Sequence, residues 1–147
     1  MTSLVAQLNP DKIIHSSEVL VDPDKMEEMI AYNLTDDRVF GVMSHHSIAD
    51  FLDSVKLKQA QATIKQAISK GELVICLGVG ASLITPPDVL VYADLSRWEI
   101  QTRLKSGEFS NWHTNNAGED VNRMLKRGYF FEWKVADKEK KKRLPQA

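Results

Sequence analysis

Glu72-Leu-Val-Ile-Cys-Leu-Gly-Val-Gly-Ala-Ser82, with the second apolar run it leads into, Val89-Leu-Val-Tyr-Ala-Asp94, decides the reading of the fold. Both runs are aliphatic and lack polar alternation, the pattern of strands whose parallel sheet is covered by helices on both faces. The first run ends in Gly78-Val-Gly80-Ala-Ser82. There the absent side chains let backbone N–H groups approach a ligand, and Ser82 adds a hydroxyl. A candidate site therefore starts at Gly78, Gly80 and Ser82.

Working outward, Asp11-Lys-Ile-Ile-His-Ser16 predicts a short strand, and Pro23-Asp-Lys-Met-Glu-Glu-Met-Ile30 a helix with proline at its start and acids in its first turn. Arg38-Val-Phe-Gly-Val-Met43 fits either a strand or a turn against the sheet edge. Ser47 and Asp50 make a capping pattern for a helical turn over 47–52. Over 54–70 the apolar positions Leu57, Ala60, Ile64, Ala67 and Ile68 recur at helical spacing, with Gly71 as the stop. Downstream, Ser96-Arg-Trp-Glu99 is a capping box that opens a helix ending near Gly107, with Trp98 read as core. Residues 109–118 read as a polar loop, 119–127 as a helix stopped by Gly128, and Tyr129-Phe-Phe-Glu-Trp-Lys-Val135 as an aromatic strand. Alternating strand and helix signals predict an α/β chain with a three-layer, open, mainly parallel sheet.

A chain of 147 residues suits one domain and can bury a sizeable core without disulfides. Lys and Arg number 19 against 20 Asp and Glu, so no whole-chain field favours nucleic acid or an acidic membrane. The one cysteine, Cys76, lies inside a predicted strand; it excludes an intramolecular disulfide framework and suits a reducing compartment. No stretch approaches membrane-spanning length and the N-terminus lacks a signal-peptide pattern, so a cytoplasmic protein without membrane partners is expected.

Gly78-x-Gly80 is not a dinucleotide fingerprint: Leu83 stands where a third small residue belongs, and Pro86-Pro87 leaves no room for the crossover helix. The G-x-x-x-x-G-K-[ST] phosphate loop is absent too. The two glycines serve either a tight turn after a buried strand or a ligand. Asp94, at the end of the second predicted strand, and Arg97 and Arg103, on the following helix, pose a similar choice. A guanidinium fork matches phosphate oxygens, whereas an Asp–Arg pair would simply tie strand end to helix. His15, His45, His46 and His113 do not fall at metal-ligand spacing, so no metal site is expected. The basic run Lys140-Lys-Lys-Arg143 reads as a solvated helix end or a linker.

The stretches Thr35-Asp-Asp-Arg-Val-Phe-Gly41, Gly78-Val-Gly-Ala-Ser82, Leu90-Val-Tyr-Ala-Asp-Leu-Ser-Arg-Trp-Glu-Ile-Gln101 and Lys126-Arg-Gly-Tyr-Phe-Phe-Glu-Trp-Lys-Val-Ala-Asp137 together resemble the N-terminal region of bacterial class I mannose-6-phosphate isomerases. The block 94–101 is the most specific part of that resemblance. It implies a uridine-kinase-like α/β domain, of P-loop-kinase-like topology without a Walker A loop, placed ahead of a cupin-type isomerase domain. On that resemblance Arg103 matches one arginine of the kinase-like enzymes, zinc belongs to the downstream isomerase domain, and this chain holds no cofactor. The expected function is thus a non-catalytic accessory portion of a longer sugar-phosphate-metabolising parent. The alternatives are a free-standing module binding a phosphorylated sugar or nucleotide at the glycine loop, and a structural fragment that dimerises through an open sheet edge.

Overall fold

The computed structural model describes residues 2–144. In chain order the described elements are α1 (Thr2–Leu8), β1 (Lys12–His15), α2 (Pro23–Leu34), α3 (Ser54–Ser69), β2 (Val74–Leu77), α4 (Arg97–Lys105), α5 (Val121–Arg127) and α6 (Trp133–Arg143). Short 3-10 turns lie at Ser16–Val19, Ile48–Phe51 and Ala81–Leu83, and a π turn at Gly128–Glu132 joins α5 to α6. The chain forms two compact units, one from the residues up to Val21 with Phe51–Leu90, the other from Asp22–Asp50 with the chain from Val91 onward.

In the first unit β1 and β2 pair in parallel, from Lys12 opposite Val74 to His15 opposite Leu77. A parallel pair needs a long crossover, and α3 supplies its helical part. Asp53 starts that helix, its carboxylate accepting from the amides of Val55 and Lys56 at 2.9 and 3.0 Å. Ile14, Val19, Ile64 and Ile84 form the core, with Leu52, Leu57, Val74 and Cys76 against it. Burying each such side chain contributes roughly 1.5–3 kcal/mol. Of β1 only Ile14 points inward, so one face of this strand is covered.

The second unit is helical. Pro23 begins α2, which buries Met26, Ile30 and Asn33. Asp120 caps α5 by accepting from the amides of Asn122 and Arg123 at 2.9 and 3.3 Å. From there the chain runs helically to Arg143, burying Met124, Phe131 and Val135. Those positions lie seven and four residues apart, on one helical face.

Mixed helix and strand character, with a parallel pair, is therefore as expected. Among the described residues the sheet has two strands, fewer than a three-layer reading needs. Residues 89–94 are not a strand: no neighbouring strand pairs with them, Pro86 and Pro87 before them lack N–H donors, and Val89 and Val91 are 80% and 70% exposed. The aromatic run 129–135 is helical, because its buried positions continue the apolar face of α5 and packing overrides β-propensity. Gly128 accordingly does not stop the helix; its φ of −56° continues it. Trp98 is surface rather than core, at 78% exposed.

Candidate functional site

The carboxyl ends of β1 and β2 lie side by side because the pair is parallel, and in open sheets that edge is where ligands bind. One position beyond the last pair, His15 and Leu77, the register sets Ser16 against Gly78. The approach is close: a Cβ on Gly78 would fall 2.4 Å from Ser16 Oγ. Gly78 and Gly80 both adopt left-handed backbone, with φ of 109° and 83°. The turn is closed by Ala81 N–H donating to the Gly78 carbonyl at 3.2 Å and Leu83 N–H to the Gly80 carbonyl at 2.9 Å. Ser82 sits half-buried in this turn. The amides of Val79 and Gly80 make no hydrogen bond among the described residues. Ser16 is only 4% exposed, and its hydroxyl has no partner among the described residues either. Since none of these residues leaves a fully occluded polar atom unpaired, that hydroxyl retains access to solvent. Two amides and a hydroxyl are thus available as donors at the sheet edge, the groups that hold an anion.

The charged candidates lie in the second unit, and each has a partner there. Asp94 ends no strand; its carboxylate pairs with Lys140, whose hydrogen bond holds it below the usual carboxylate range. Arg97 pairs with Asp137, donates to the Trp133 carbonyl at 3.4 Å and lies 5.2 Å from the Trp133 ring centroid. Arg103 bonds Glu99 at 2.6 Å and Glu108 at 3.1 Å, with Phe109 beneath it at 5.1 Å. The tie expected between Asp94 and a nearby arginine is made instead to Lys140, whose place on α6 no local spacing announces.

The whole chain, residues 1–147, matches the family described as "Domain of unknown function (DUF8485)". The chain belongs to DUF8485. No curated protein and no solved structure matches it.

Two features of this DUF8485 chain escape a reading of the sequence alone. Ser16 gains its place only through the β1–β2 register. The other is a polar cluster around Glu132, which accepts from Asn111 Nδ2 at 2.9 Å, Trp112 N–H at 2.8 Å and Arg127 Nε at 3.0 Å. Arg127 also bonds Glu27 at 2.5 Å. Burial pushes the Glu132 carboxyl up, while Arg127 and the other donors pull it down. Arg127 and Glu132 are five residues apart, a spacing that a regular α-helix separates and a π turn brings together. Among the described residues no three His, Cys, Asp or Glu are grouped to hold a metal ion. No described helix is long and apolar enough to cross a membrane.

Proposed function

We propose that the chain is an accessory module of a cytoplasmic mannose-6-phosphate isomerase-type protein, and that it holds a phosphorylated sugar or nucleotide at the glycine turn without transforming it. The observation that carries this reading is the buried Ser16 hydroxyl, which faces Gly78 and has no partner among the described residues, in a turn where the amides of Val79 and Gly80 make no hydrogen bond among those residues either. Hydrogen bonds to a charged group contribute about 1.5–3 kcal/mol each, which makes such donors the groups that would hold a phosphate here. Arg97 and Arg103 are engaged by Asp137, Glu99 and Glu108, and the reading does not depend on them. The finer fold reading, a three-layer kinase-like sheet, is likewise a proposal. It draws support from the parallel β1–β2 pair with its helical crossover.

Calorimetry with mannose 6-phosphate and with inorganic phosphate tests the site. Replacing Ser16 with Ala should weaken mannose 6-phosphate about tenfold, the loss of one good hydrogen bond. Gly80→Val should abolish binding while the helical signal persists. Unchanged affinity in a folded Gly80→Val protein would end the idea.

A further inference from the structure

A pocket in the second unit stands apart from the glycine turn. The segment after α2 folds back over that helix: Val42 N–H donates to the Asn33 carbonyl at 2.8 Å, and Asn33 Nδ2 donates to the Val42 carbonyl at 3.1 Å. Gly41 permits the approach, since a Cβ there would fall 2.4 Å from the Asn33 carbonyl oxygen. Ser44 N–H holds the segment to the Phe130 carbonyl at 2.8 Å, and Lys138 Nζ donates to the carbonyls of His45 and His46 at 2.5 and 2.9 Å. What remains between segment and helix is a solvent-open pocket of about 470 Å³, lined on its apolar side by Met29, Tyr32, Val42 and Met43 and on its polar side by His45, His46 and Asp50. That volume suits a small ligand.

Asn33 lines this pocket, is only 5% exposed, and uses one Nδ2 hydrogen for Val42. Its Oδ1 and second Nδ2 hydrogen have no partner among the described residues. With no fully occluded polar atom left unpaired among those residues, Oδ1 is reachable. A planar amide edge with an acceptor beside a donor recognises the complementary edge, a donor beside an acceptor. Adenine-type rings present that edge, and Asn pairs with it bidentately. The thioethers of Met29 and Met43 adapt to flat aromatic faces, and Tyr32, 77% exposed, offers a ring to stack. We propose that this pocket binds a planar heteroaromatic base of the adenine type, oriented by the Asn33 amide. This rests on Asn33 and the pocket, not on the glycine turn.

The test is an NMR titration of the full chain, with labelled methionine methyls, using adenine and, in parallel, purine, which lacks the exocyclic amine. Neither probe carries a phosphate, so the result is separate from the fate of the glycine-turn reading. Saturable shifts of the Met29 and Met43 methyls are expected with adenine, with purine about tenfold weaker for want of one hydrogen bond. Tyr32→Ala, an exposed change that should leave the fold intact, is expected to weaken adenine about tenfold, as the loss of a stacked base does. Asn33→Asp should weaken it further by removing the donor. If that variant does not fold, Tyr32→Ala and the adenine–purine comparison still decide. Absent methyl shifts, equal affinity for the two bases, or unchanged affinity in Tyr32→Ala would each overturn the proposal.

Discussion

Ser16 and Gly78 meet because the register of two four-residue strands ends one position before them, and their closeness makes a sharp expectation. Gly78→Ala combines a left-handed φ with a 2.4 Å clash against Ser16 Oγ, and should cost about 1–3 kcal/mol in urea unfolding. The double variant with Ser16→Ala should recover part of that loss, since the atom struck is gone. No recovery at all would mean that the two residues are not in contact. Titration adds a second expectation. The amides of Phe40 and Val39 hold Asp37 below its usual 3.8, Ser47 does the same for Asp50, and Arg38 for Asp120. A carboxyl depressed in the folded state stabilises above its unfolded pKa, and that stability goes as pH falls through the folded value. Glu132 has the opposite sign. Burial raises its folded value above 4.5, so its contribution is greatest below that pH and declines as pH rises toward the folded value. Unfolding free energies of Glu132→Gln and the parent chain from pH 3 to 8 should therefore differ in slope above about 4.5, the usual value; parallel curves there would contradict the assigned direction.

Elements whose signals are local are readable from the sequence. The 54–70 periodicity gave α3 with its ends within a residue, the Ser96 box started α4, and the 11–16 and 72–77 runs gave β1 and β2. Ser96 Oγ accepts from the Glu99 amide at 3.1 Å, and Ser96→Ala should cost about 1 kcal/mol, fraying α4. Hydrogen exchange confined to the first turn of α4 is the expected readout, and unaltered protection there would refute the cap. Local signals mislead where the deciding contact is distant in sequence. A β-branched run becomes a strand only if another strand pairs with it, and residues 89–94 have no such neighbour among the described residues. The run 129–135 carries equal β-propensity, yet Phe131 and Val135 complete a buried face begun by Met124, and the helix prevails. Ser16 and Asn33, the polar atoms that mark the two proposed sites, carry no motif; only the strand register and the return of the chain over α2 reveal them. Val91→Lys should change stability by less than about 0.5 kcal/mol, since the side chain is 70% exposed. A larger loss would show that the stretch is covered in solution.

The DUF8485 chain as a whole joins two units that each carry a core and a proposed site. The accessory reading predicts that the purified chain binds no stoichiometric zinc and does not interconvert mannose 6-phosphate and fructose 6-phosphate. A coupled assay for fructose 6-phosphate with zinc supplied checks this, and turnover lost on replacing His45 or His113 would sink the reading. A two-stranded sheet has two outer edges without a ladder partner, so light scattering should show concentration-dependent dimers. A clean monomer at high micromolar concentration would argue against edge pairing. An anion held where the parallel strands end should be visible in the backbone amides of the labelled full chain as mannose 6-phosphate is added. Saturable shifts are expected at Val79, Gly80 and Ser82, reduced in Ser16→Ala and absent in Gly80→Val. Amides in this turn that stay fixed while millimolar ligand is added to a folded protein would contradict it.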